Sequence, residues 1–213
     1  SDEHAAALAP LAEMIAGYGA VPAIQLGHAG RKASMQRPWH GNGPLDDSDA
    51  SRGELPWEIV APSPVPAADG YLLPAEMTLE QIKQVIHDFA AAAKRVDQAG
   101  FNAIEIHGAH GYLVHSFLSP LTNQREDEYG GDLEKRMRFA IEVCEVVRAN
   151  LDATKPLFYR ISGVDGEGGG WQLEDSVQLA KRLREVGVDV IDCSSGGISA
   201  GSSPAAKGLP RGP

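Results

Sequence analysis

The chain has 213 residues, 43% of them hydrophobic, with 29 acidic against 19 basic side chains and a net charge of −10. That is enough for one substantial core, and no composition break marks a second independent domain. No basic run could follow a phosphate backbone, so nucleic acid and an anionic membrane surface are excluded as partners. Two cysteines, Cys144 and Cys193, lack C-x-x-C spacing, and no apolar run reaches ~18 residues. A reducing cytoplasm without a spanning helix or signal peptide is therefore predicted.

The first segment repeats Leu8, Leu11, Ile15 and Tyr18 at helical spacing and stops at Gly17 or Gly19. Pro10 conflicts with a regular helix from Glu3: either the helix kinks there, or it starts near Ala9 with Pro10 in its first turn. Ala23 to Leu26 reads as a strand on which Gln25 alternates with Ile24 and Leu26, and so faces the other side. An amide there suits the edge of a heterocycle carrying N–H and C=O groups. Propensity alone favours the plainer reading, a surface glutamine on a half-exposed strand. Arg31 to Met77 is long, polar and irregular, with seven of the fourteen prolines and both Trp39 and Trp57. A connection of that length is usually a lid or a pocket wall, in which the tryptophans roof a pocket or pack the loop on itself. Arg31 and Lys32 meet an anion or are solvated.

Thr78 and Gln81 form a capping box ahead of Ile82, Val85, Ile86, Phe89, Ala93 and Val96, so a helix is predicted to Gln98. Another follows Gly130 and Gly131 with Asp132 as its cap, burying Leu133, Met137, Ala140, Ile141, Cys144 and Val147. A strand spans Leu157 to Ile161. On it Arg160 is an expensive cation unless an anion meets it. The glycine-rich turn from Gly166 to Gly170 has no P-loop lysine and reads as a mobile loop. A helix with Leu173, Val177, Ala180 and Leu183 then feeds a strand from Val188, and after Ser195 no element pattern remains. Strands starting near Ala23, Ala103, Leu157 and Val188 with helices between them predict an α/β fold with a parallel sheet. Four such strands leave two open edges.

The stretch FNAIEIHGAHGYLVHSFLSPLTNQREDEYGGD, from Phe101 to Asp132, concentrates the chemistry. Ala103, Ile104 and Ile106 make a strand core. His107, His110 and Tyr112 follow where the strand opens into a loop, the end at which parallel sheets and barrels bind ligands. Two imidazoles three residues apart can aim N–H donors at one oxygen, and a lost donor of that kind costs ~2.7–4 kcal/mol of barrier. A phenol beside them carries a proton it can give. Spacing alone leaves three readings open: an oxyanion clamp, a zinc pair needing a third ligand such as His28 or His115, and structural histidines.

The segments AIQLGHAGRKAS, EIHGAHGYLVHSFLSPLTNQREDEYGGD and RMRF resemble the Old Yellow Enzyme family of flavin-dependent ene-reductases. The RKAS…RPW run and the loop around Trp57 are most similar to its NADPH dehydrogenase, xenobiotic-reductase-like branch. The resemblance covers essentially the whole chain. It implies a partial (β/α)8 TIM barrel over residues 1–213, about strands three to six, with the long loop after the first visible strand. By position it implies FMN held by Gln25 at the pyrimidine edge and by Arg160 near N1 and O2, where a positive charge favours the reduced ring. His107 and His110 would hold the carbonyl or nitro oxygen of an activated alkene. Tyr112 would protonate the α-carbon, with NADPH or NADH as reductant. The family's usual asparagine before the arginine of an Asn-Arg pair is Lys135 here, which touches the start of that helix rather than the chemistry.

A complete barrel of this kind needs ~250 residues or more, so the chain is expected to be the inactive centre of a homo-oligomeric parent enzyme acting on a small electrophilic alkene. Two other enzymes fit the residues: a 2,4-dienoyl-CoA reductase-like flavoenzyme, and a metal-dependent hydrolase using His107, His110 and His28. A non-catalytic fragment that associates through its open sheet edges is the remaining alternative.

Overall fold

The computed structural model describes residues 1–199. Helix α1 (Asp2–Gly17) leads to strand β1 (Ala23–Leu26). The long connection carries three 3-10 turns and the two-residue strands β2 (Val60–Ala61) and β3 (Ala75–Glu76). Then come α2 (Leu79–Gln98), β4 (Ala103–Gly108), α3 (Leu113–Leu118), α4 (Leu133–Ala149), β5 (Leu157–Ser162), α5 (Leu173–Glu185) and β6 (Val190–Ser194). The main sheet has the order β1-β4-β5-β6, and every pairing in it is parallel. This is the helix-strand alternation that the pattern predicts, and the parallel pairing follows from each strand being reached by a helical crossover.

Alternation along the strands divides the sheet into two faces. Ile104, Ile106, Leu157, Tyr159 and Ile161, none more than 2% exposed, join the helix-side core with Phe89, Val96, Met137, Val143 and Leu183. Each such aliphatic side chain contributes roughly 1.5–3 kcal/mol. The registers Gln25↔Glu105 and Glu105↔Phe158 form one row on the opposite face, and His107↔Arg160 and Arg160↔Asp192 the next. That face is open. Its lower half is a 640 Å³ concavity lined by Val21, Ala23, Ala103, Pro156 and Phe158 among others. In a closed barrel the same positions fill the interior.

Several local features depart from the pattern. Helix α1 begins at Asp2, capped by the Ser1 side chain accepting the His4 N–H at 3.4 Å, and simply carries Pro10 inside it. The regular helix does not wait for Ala9. Strand β6 starts at Val190 rather than Val188, because the Val188 N–H is spent on the Leu183 carbonyl at the end of α5. The six residues of α3 are all buried, and so short a helix leaves no amphipathic signal. The glycine-rich turn closes on itself, with Asp165 N–H bonded to the Trp171 carbonyl at 3.0 Å. Trp39 and Trp57 stand 74% and 55% exposed. The long connection is instead pinned by buried Arg125, which donates to the carbonyls of Pro62 and Met77 at 2.9 and 2.7 Å. Among the described residues no helix is long and apolar enough to cross a membrane.

Candidate active site at the carboxyl ends of the strands

His107 ends the polar row of β4, and the chain then turns so sharply that His110 takes a left-handed conformation, φ 59°. Such a backbone costs on the order of 1–3 kcal/mol outside glycine and persists where neighbours over-determine it. Here both backbone groups are held by side chains. The His110 N–H donates to Ser162 Oγ at 2.9 Å, and its carbonyl accepts from Lys32 Nζ at 2.7 Å. Gly111 follows at φ 72°, with no room for a Cβ against the Gly197 carbonyl. Tyr112 is the N-terminal cap residue of α3.

The turn gathers the three rings. His107 and His110 meet edge-on with centroids 5.2 Å apart, and His107 and Tyr112 likewise at 4.8 Å. Burial, the neighbouring His110 and the Arg160 cation push His107 down to about 4. Burial followed by Arg160 lowers His110 too. Both rings are therefore neutral at pH 7, and each offers one N–H donor and one lone pair. His110 Nε2 lies 2.6 Å from Ser194 Oγ, whereas His107 Nδ1 is buried without a partner among the described residues.

Gln25 and Arg160 share the open face with His107, but each already has a carboxylate beside it. Gln25 Nε2 donates to Glu105 Oε1 at 2.6 Å, leaving its carbonyl oxygen and second N–H. Arg160 pairs with Asp192 at 3.0 Å, which supplies the anion its position demands, while its Nε stays buried and has no partner among the described residues. Among the described residues neither buried Arg31 nor half-buried Lys32 pairs with an anion. Buried Arg31 donates to the carbonyls of Pro66, at 2.8 Å, and Ile198, and Lys32 to those of His110 and Gly197.

A second layer fixes the turn from behind. His115 Nδ1 accepts the Gly111 N–H at 2.8 Å, which places the ring proton on Nε2, 2.9 Å from Asp165 Oδ1 and off the ideal hydrogen-bond axis. Asp165 Oδ2 accepts from Ser119 Oγ at 2.6 Å and from the Trp171 N–H at 2.7 Å. His28 stands apart, accepting the Gly30 N–H on Nδ1 at 3.0 Å. Among the described residues no group of three His, Cys, Asp or Glu side chains could hold a metal, so the zinc reading finds no ligand set there. Sequence spacing singles out the three rings but not Ser162, Ser194, Asp192 or Asp165. The parity of Asp192 with Arg160 across a parallel register was the one signal available for any of them.

A parallel sheet with a polar, ring-lined cluster at its carboxyl ends has the layout shared by barrel and doubly wound α/β enzymes. The chain belongs to the NADH:flavin oxidoreductase / NADH oxidase family, which it matches over residues 1–208. It is 46% identical over 198 residues to an NADPH dehydrogenase of Bacillus velezensis, covering 93% of this chain and 52% of that one. A Geobacillus NADPH dehydrogenase is 44% identical with the same coverage. Among solved structures, a 2-naphthoyl-CoA reductase in complex with 2-naphthoyl-CoA superposes with a TM-score of 0.77 at 29% identity, over 96% of this chain and 30% of that one. An Old Yellow Enzyme homologue from Zymomonas mobilis gives 0.74 at 26%, over 91% and 53%. The fold is thus a partial (β/α)8 barrel, and the chain spans about half the length of the curated relatives it matches.

Proposed function

We propose that this chain is the central part of an FMN-dependent ene-reductase that uses NADPH or NADH to reduce the C=C bond of α,β-unsaturated carbonyl or nitro compounds. The observation that carries the reading is the ring cluster of His107, His110 and Tyr112 at the end of the polar face that also bears Gln25 and Arg160. A flavin fits the donor set. The buried Arg160 Nε and the free carbonyl oxygen of Gln25 are a donor and an acceptor on one face, as a ring edge with both C=O and N–H groups requires. Gln25 and Arg160 would hold it. When bound, reduced FMN supplies a hydride for the alkene β-carbon.

The protein's own part is positioning and proton chemistry. His107 and His110, neutral at working pH, donate N–H bonds to the carbonyl or nitro oxygen and draw electron density from the double bond as charge develops there. Asp192 keeps Arg160 in place on the floor of the site. Tyr112 Oη gives its proton to the α-carbon. His110 reaches this geometry because Ser162 and Lys32 hold its backbone. The open apolar half of the sheet face, with Val21 70% and Val190 39% exposed, supports a barrel completed by further strands. Free Cys144 and Cys193 suit a reducing cytoplasm.

The test is NADPH oxidation with cyclohexenone and added FMN. The full-length enzyme should turn over while the 213-residue chain alone should not. No enone-dependent oxidation by the full-length protein would sink the reductase reading, and robust turnover by the chain alone would sink the partial-barrel part of it.

A further inference from the structure

Lys32 holds the His110 turn, but the proposed chemistry makes no use of its charge. Its ammonium has three N–H donors, two of them taken by the carbonyls of His110 at 2.7 Å and Gly197 at 2.5 Å. It lies 5.7 Å from the centre of the Tyr112 ring, and no carboxylate pairs with it among the described residues. Burial and the neighbouring Arg31 push it down to about 8, the direction expected for a cation drawn from water without a counter-ion. Neutral dipoles compensate such a charge only in part. The same side chain lines a 330 Å³ pocket with Met35, Asn42, Ala67, Tyr71 and Tyr112. Tyr112 therefore belongs to both the pocket and the ring cluster.

We propose that this pocket receives the far end of the alkene substrate and that Lys32 pairs there with a carboxylate, so that the enzyme prefers carboxylated enones to their neutral esters. The inference rests on the reductase reading, which places the activated oxygen of the same molecule between His107 and His110. A net charge of −10 gives no long-range attraction for anions, so the recognition is local. A pocket of this volume holds a short acyl chain with its carboxylate.

The test is titration calorimetry of the FMN-loaded full-length enzyme with 4-oxopent-2-enoate and with its methyl ester, alongside turnover of both. The acid should bind about tenfold more tightly, equivalent to roughly 1.4 kcal/mol, and Lys32→Met should bring the two affinities together. Because Lys32 also holds the His110 turn, Asn42→Asp gives an independent probe. Asn42 has φ 59°, a conformation aspartate also tolerates, and the new carboxylate on the pocket wall should lower the acid-to-ester ratio with Lys32 intact. Equal affinities in the wild type, or a preference that survives both substitutions, overturns the proposal. So does a Lys32→Met enzyme that keeps the acid preference but loses discrimination of NADPH from NADH, since the cation would then serve the coenzyme phosphate. An acid that binds tighter in the expected pattern, with neither compound reduced, upholds the pocket and removes the reductase reading instead.

Discussion

Replacing Asp165 with alanine should cost about 3–5 kcal/mol of stability, the usual penalty for breaking a buried polar pair. The carboxylate is fully buried and receives Ser119 Oγ–H at 2.6 Å and the Trp171 N–H at 2.7 Å, with His115 Nε2 at 2.9 Å. Its removal strands three buried donors at ~1–3 kcal/mol each, and water entering the cavity recovers part of that sum. Asp165→Asn keeps the volume and one acceptor, so roughly half the loss is expected. Burial alone would raise the Asp165 pKa, but the bonds from His115 and Ser119 outweigh it and hold the group below its ordinary 3.8. A lowered carboxyl stabilises fully above its unfolded value and loses that contribution as pH falls through the folded one. The asparagine variant should therefore show a shallower loss of stability on the acid side, below about pH 4. Urea denaturation at several pH values, with the slope m unchanged, measures both effects. A loss under ~1 kcal/mol for Asp165→Ala would refute the reasoning, because the network would then be replaceable by solvent.

Other predictions concern the rings and the core. In the full-length enzyme Tyr112→Phe should lower kcat for cyclohexenone by about 10²–10⁴ while flavin reduction by NADPH stays within a few-fold, as stopped-flow absorbance would show. With His107 pushed down to about 4 and His110 lowered as well, alkene reduction should show no bend at pH 6.5 and should change only on its acid side, the His107 step coming as pH approaches 4; a titration step at 6.5 in the pH–rate profile contradicts this. Tyr159→Phe removes a hydroxyl that is buried without a partner among the described residues. It should be neutral or stabilising by ~1 kcal/mol, a rise of a few degrees in Tm by calorimetry, and a loss larger than that would mean the hydroxyl has a partner.

What the residues disclose in advance is what local chemistry determines. The Thr78–Gln81 box caps α2 through contacts three residues apart, with Thr78 Oγ1 accepting the Gln81 N–H at 3.2 Å, so its signal lies within one turn of sequence. Strand alternation placed Gln25 on the face opposite Ile24 and Leu26 for the same reason. The spacing of His107, His110 and Tyr112 suggested convergence, but the turn that brings their rings together depends on Ser162 and Lys32, residues remote in sequence. Lys32 shows the limit most clearly. Its choices from sequence were an anion or solvent, and the fold gives it backbone carbonyls that no pattern of residues encodes. The partnership of Asp165 with His115 was hidden likewise, since helix α3 and the loop after β5 must pack before either residue has its partner.

The central claim is that the paired imidazoles hold the electrophile's oxygen. It is tested most directly by reducing the FMN-loaded full-length enzyme with dithionite and following its reoxidation by cyclohexenone in the wild type and in His107→Ala and His110→Ala. Each substitution is predicted to slow reoxidation by about 10²–10³. Reoxidation at the wild-type rate in either variant would contradict the account.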